Sequence, residues 1–175
     1  MNGNENPDLF HAPMDRPEVP GTGDERTALA RWLDWHRATL LRKLDGLSEE
    51  QLRRAVLPTG LSLLGLVKHL TDVEQGWFVL DFAGGDEPPI YSGGEPGAEF
   101  RVSESAGEIV GQYLRMCSRA REIVATESSL DITVPNVRRG AVDLRWILLH
   151  MIEETARHNG HADVIRELID GRTGW

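Results

Sequence analysis

A chain of 175 residues, 40% of them apolar, is long enough for one sizeable core and too short for two ordinary domains. Its formal net charge of -9 disfavours nucleic acid and anionic membranes as partners. No apolar run nears the roughly 20 residues that span a bilayer, the N-terminal stretch lacks a basic and apolar leader pattern, and the single cysteine, Cys117, rules out an intrachain disulfide, so a cytoplasmic location is expected.

Residues 1–23 are rich in Pro, Gly and Asn without apolar periodicity, which predicts a flexible N-terminal arm with Leu9, Phe10 and Met14 as its packing residues. The remaining residues, 24–175, are expected to form one bundle. Leu29, Leu33, His36, Leu40 and Leu44 recur at spacings of three and four, a first helix that Gly46 ends. Ser48 to Gln51 reads as a capping box opening a short helix through Arg54, before the break at Pro58-Thr-Gly60. A second long helix starts near Leu61 or Ser62, carries Leu63, Leu66, Leu70, Val73, Trp77 and Leu80 as a stripe, and stops at Ala83-Gly84-Gly85. Residues 84–102 hold too many breakers for a helix and too many residues for a turn; a crossover loop that flanks a site is expected. A third helix runs from the Ser105 and Glu108 capping box to about Ala125, residues 128–142 form an irregular link, and a fourth long helix runs from the Asp143 cap to Asp170 before Gly171. Four long helices with two long connections predict an all-α four-helix bundle with a crossover connection.

The last helix carries the chemistry. At about 100° per residue, Ile147, Glu154, His158, His161, Ile165 and Leu168 project within one sector, so the face that must be buried brings a carboxyl group with it. A buried, unpaired carboxylate costs several kcal/mol, and no Lys or Arg falls inside that sector within one turn, Arg157 pointing to its edge. A metal cation is the expected compensator. Glu154 and His158, four apart on a helix, can converge on one ion, and His69, the one histidine of the second helix, can complete the set His69, Glu154, His158. Three protein ligands leave a coordination position open, as in a catalytic rather than a structural site. The sequence lacks both the paired Glu-x-x-His set of a di-iron bundle and the His-Glu-x-x-His of a zincin, so one ion and no protease activity are expected.

His161 is the candidate catalytic residue: fourth ligand, partner of a ligand, or proton shuttle, with the partner or pocket-wall role favoured. His150 is read the same way, and His36 borders either the pocket or the core beside Trp32. Trp32, Trp77 and Trp146 are expected to pack in the core, Arg138 and Arg139 to be solvated, and Cys117 to be a small packed thiol.

Three segments, WHRATLL at 35–41, GLSLLGLVKHL at 60–70 and LLHMIEETARHNGHAD at 148–163, resemble the DinB-like superfamily, with the match running from about Asp24 to Gly171. The resemblance implies a bundle with a crossover, a mononuclear site with one His from the second helix and two ligands from the last, and a homodimer. Many relatives use three histidines; the His, Glu, His order here is similar to that of the mycothiol-dependent maleylpyruvate isomerases. Members of known activity are transferases or isomerases that use bacillithiol, mycothiol or glutathione, which implies a low-molecular-weight thiol cosubstrate. For the mixed N and O donor set the expected metals are zinc or nickel.

The leading expectation is therefore a metal-dependent thiol S-transferase or isomerase acting on small electrophiles. Two alternatives stand beside it: a metal-binding stress-response protein without turnover, and a metal-dependent hydrolase in which the open position activates water.

Overall fold

The computed structural model describes residues 8–13, 15–93, 95 and 97–173. Five α-helices dominate: α1 (Glu25–Arg42), α2 (Glu49–Arg53), α3 (Leu63–Glu74), α4 (Ala106–Thr126) and α5 (Leu144–Asp170). The all-α bundle expected from the sequence is what the chain adopts. Side-chain caps set the helix starts: Asp24, Ser62 and Asp143 each accept from a backbone N–H three residues on, and Ser48 and Ser105 form reciprocal capping boxes with Gln51 and Glu108. Gly171 closes α5 at φ 77°, a left-handed conformation that side-chain-bearing residues rarely adopt.

Two details differ from the sequence reading. The second long helix continues beyond α3 as a π-helical stretch over Gln75–Phe82, and apolar spacing alone does not register that change of pitch. Within the link 128–142, Thr133–Asn136 (β1) and Gly140–Asp143 (β2) pair as an antiparallel hairpin, with Val134 opposite Val142. Four-residue strands around Pro135 and Gly140 give too short an alternation to read in advance.

In the packed molecule α1 lies on α5, α5 on α3, and α3 on α4. The gap between α1 and α4 is bridged by polar groups: Arg121 pairs with Asp34 at 2.9 Å, and Arg26 donates to the Val124 carbonyl at 2.8 Å. Residues ahead of α1 also touch the bundle. Phe10 N–H donates to the Leu47 carbonyl, Gly46 N–H donates to that of Phe10, both at 2.8 Å, and Arg16 lies 5.0 Å over the Trp35 ring. Met14, expected to pack there too, lies outside the described residues.

The apolar interior is in two parts. One holds Leu40, Leu44, Leu66, Leu70, Tyr113 and Ile165, the other Leu33, Phe78, Ala120, Ile147, Leu148 and Met151. α1, α3 and α5 pass between them at a polar step: Arg37 on α1, Glu74 at the end of α3, and Glu154 to His158 on α5. Arg37 donates twice to the Glu74 carboxyl, at 2.6 and 2.5 Å, and once to Asp34 at 2.9 Å, with the Arg37 and Glu74 side chains only 3% and 1% exposed. Burial opposes the charge on Arg37, but the adjoining carboxylate outweighs it and holds the guanidinium pKa well above its ordinary value.

Trp32 is a correction: it is 45% exposed rather than packed in the core, its ring lying against Trp35 and His36 of its own helix. Leu168 likewise lies outside the buried stripe at 55% exposed. Cys117 is buried, and burial pushes its thiol up to about 12, so it is a packed group rather than a nucleophile.

The segment 84–102 is fastened to α3. Asp72 accepts from Tyr91 N–H at 2.9 Å and Ser92 N–H at 2.7 Å, and Lys68 donates to the Arg101 carbonyl at 2.6 Å and to Glu104 at 2.8 Å. The Phe100 backbone comes so near Gly65 that a Cβ there would stand 3.4 Å from the Phe100 carbonyl oxygen and 3.2 Å from Ser62 Oγ.

Two outcomes follow. Glu74→Ala strands a buried guanidinium, a loss of about 3–5 kcal/mol that should appear as a melting temperature lower by about 10 °C; replacing the pair together, Arg37→Met with Glu74→Leu, should restore most of it. For Glu104, burial raises the pKa, but the hydrogen bonds from Lys68 and from the Glu104 and Ser103 N–H groups outweigh this and hold it at about 2, below its ordinary 4.5. A depressed carboxyl stabilises the fold above pH about 4.5, and the contribution is lost as pH falls through 2. Melting curves of wild type and Glu104→Gln should therefore differ at neutral pH and converge toward pH 2.

Candidate metal centre

The site lies where α3 and α5 face each other at the level of the polar step. α5 is helical through Glu154 and His158, so these side chains share a face one turn apart. α3 brings His69 opposite them from the edge of its leucine stripe. His158 Nε2 lies 3.0 Å from Glu154 Oε1, and His69 Nε2 lies 3.5 Å from that same oxygen. One ligand atom from each of the three residues lies within 4.8 Å of the others. Side-chain exposures of 21% for His69, 9% for Glu154 and 12% for His158 describe a cluster that is mostly covered yet reachable from one side.

These distances suit one ion. Two ligands held about 2.0–2.1 Å from a tetrahedral metal stand about 3.3 Å apart, close to both measured separations. The electrostatics point the same way, because a coordinating imidazole must be neutral. Burial pushes the His69 pKa below its ordinary value, against the raising effect of Glu99. Burial first, then the neighbouring His69, His161 and Arg157, press His158 down to about 4.

Arg157, expected to point to the edge of the sector, folds back so that Nη2 contacts Glu154 Oε2. A long, 54% exposed side chain reaches further than its Cβ direction suggests. Compensation of a buried charge is thus shared with an arginine, and the case for a metal rests on the convergence of donors at Oε1.

The other histidines separate. His161 Nδ1 lies 3.3 Å from His158 Nδ1, on the exposed side of the cluster. His150 belongs to an aromatic group with Trp77 and Trp146, at ring distances of 4.8 and 5.0 Å, and the exposed Arg139 lies 4.5 Å over Trp146. His36 sits between Trp32 and Trp35, and Asn159, next to His158, donates to its backbone carbonyl at 3.0 Å. Burial lowers the pKa of both His36 and His150.

Two residues near the cluster gave no signal in the sequence. Glu99 Oε1 lies 3.5 Å from His69 Nδ1, and the Phe100 ring stacks on His69 at 5.2 Å and 21°. Both come from the single 3₁₀ turn Ala98–Phe100 at the end of the crossover. A turn this short has no periodicity to read.

No curated protein matches the sequence. A family model described as mycothiol-S-transferase matches residues 28–171, a stretch that includes His69, Glu154, His158 and His161 and covers nearly all of the bundle. By that match the chain belongs to the mycothiol-S-transferase family, within the DinB-like superfamily.

Proposed function

We propose that the protein is a metal-dependent S-transferase, or a thiol-dependent isomerase of the same chemistry, that joins a low-molecular-weight thiol to a small electrophile. Mycothiol is the thiol that the family name supports. The observation that carries the reading is the convergence of two imidazoles and one carboxyl group, from two helices, within 4.8 Å. In this reading His69 Nε2, Glu154 Oε1 and His158 Nε2 hold one divalent ion, with zinc or nickel suited to the mixed donors. When bound, the ion supplies a Lewis acid that favours the anionic form of a thiol at the remaining coordination position.

The chain's own groups do the rest. Arg157 restrains the second oxygen of Glu154, so that Oε1 is the one turned to the imidazoles. His161 stands beside His158 on the open side, its Nδ1 3.3 Å from His158 Nδ1. With His158 Nε2 on the ion, His158 carries its proton on Nδ1 and donates it to His161 Nδ1, so His161 holds that ligand's tautomer. The proton released when the S–H bond breaks passes to solvent on the open side. The sulfur then bonds to the electrophilic carbon, and a leaving group departs with the bonding pair; where the acceptor is a conjugated double bond, the carbon takes up a proton and nothing leaves. The covered side of the cluster, against Phe100 and α3, limits water, which favours thiol transfer over hydrolysis.

Wild-type protein purified without an affinity tag should carry about one divalent ion per chain and consume thiol in the presence of an electrophilic acceptor. His158→Ala should lose both, and full thiol transfer by that variant would reject the proposal. Zn²⁺ at about 100 times its dissociation constant should stabilise the wild type by about 2.7 kcal/mol, read as a higher melting temperature. The Glu154→Ala variant should show no such rise.

A further inference from the structure

The orientation of His69 raises a question that the metal cluster itself does not answer. Its Nε2 faces Glu154, so this nitrogen is available as a donor of electrons only when the ring proton is on Nδ1. An unconstrained neutral imidazole favours the other tautomer, and a group on the Nδ1 side is needed to reverse that preference.

Glu99 occupies that side, with Oε1 3.5 Å from His69 Nδ1 and a side chain only 13% exposed. Its other oxygen, Oε2, is buried with no hydrogen-bond partner. A carboxyl group left partly unsatisfied lowers stability, and His69 is the nearest side chain with which Glu99 is paired among the described residues. The group therefore does little for the fold where it stands. Its backbone is held in place by other contacts: Phe100 against Gly65 and against the His69 ring, and Lys68 on the Arg101 carbonyl at 2.6 Å. The carboxyl is delivered to the imidazole by a segment stapled to the same helix that carries that imidazole. A shift of about half an ångström brings the 3.5 Å contact to ordinary hydrogen-bond length.

We propose that Glu99 is a positioning residue, which accepts the Nδ1 proton of His69, fixes the tautomer with Nε2 unprotonated, and so makes the crossover 84–102 part of the metal centre. Phe100 holds the ring plane while Glu99 holds its rotation. On the other ligand the matching place, beside His158 Nδ1, is taken by His161 at 3.3 Å. The inference rests on the reading of His69 as a ligand, yet the tautomer is measurable without metal; because Glu154 Oε1 lies the same 3.5 Å from Nε2 and would accept a proton there, it is read in Glu154→Ala, where Glu99 is the carboxylate left beside the ring.

Two measurements test it. Nitrogen-proton correlation NMR of the imidazoles in metal-free Glu154→Ala at neutral pH should place the His69 proton on Nδ1, and adding Glu99→Ala should shift it to Nε2 or to a mixture. Chelator competition with Zn²⁺ should then show affinity about 10–100-fold weaker in Glu99→Ala, while the metal-free variant melts no lower than wild type, since an unsatisfied carboxyl has been removed. Glu99→Gln, which keeps an acceptor and the same shape, should retain the Nδ1 proton and lose less affinity. A ring protonated on Nε2 in Glu154→Ala would overturn the proposal, as would a tautomer unchanged by the added Glu99→Ala, and an unchanged Zn²⁺ affinity in Glu99→Ala alone would do the same. If wild type takes up no Zn²⁺ at all, the metal reading fails, and the tautomer still decides the role of Glu99.

Discussion

α1, α3 and α5 each carry largely covered polar side chains between the two apolar regions, Arg37, Glu74 with His69, and Glu154 with His158, and the fold depends on these groups finding one another. Arg37 and Glu74 are almost fully buried and paired by two short hydrogen bonds. A guanidinium removed from water without that partner would cost more than most single side chains contribute. The pair therefore fixes the register of α1 against the end of α3 more sharply than leucine packing alone, which tolerates slippage and exchange of similar side chains. With that register set, α5, which lies on both helices, can bring Glu154 and His158 only to the level of His69.

This arrangement explains how an acidic protein concentrates coordinating groups without collapsing them into the core. The two apolar regions on either side of the polar step supply the bulk of burial, and the step itself is left partly open toward α3 and the crossover. Imidazoles covered enough to stay neutral, beside a carboxyl group held from behind by Arg157, form a donor set that requires little rearrangement on binding an ion. In the proposed reading, two imidazole nitrogens and one carboxylate oxygen suit a borderline divalent cation better than a hard, oxygen-seeking one.

The crossover changes meaning once its contacts are seen. By composition it is a breaker-rich loop beside a site; in the structure it is tied to Lys68, Asp72 and Gln75 of the helix that carries His69, and it ends with Glu99 and Phe100 against that ring. Gly65 leaves room for this: a Cβ there would crowd Ser62 Oγ at 3.2 Å and already touch the Phe100 backbone at 3.4 Å. Site and loop are thus one unit built on α3.

The helices, their caps and the His69, Glu154 and His158 set were legible from sequence, because capping residues act within three positions and helix faces repeat every three to four residues. Glu154 and His158 stood out because they interrupt an apolar stripe that had to be buried, and His69 because it is the one histidine of the second helix. What the sequence could not hold is the meeting of residues that are far apart along the chain and carry no repeating pattern: Arg37 with Glu74, Glu99 with His69, and the short hairpin across Pro135 and Gly140. It also misjudged Arg157, whose flexible side chain is aimed by the charge it meets rather than by its place on the helix. Local periodicity and capping determine which segments become helices and which faces turn inward; only the packed chain decides which buried charges pair, because that depends on distances between helices that no spacing within one of them encodes.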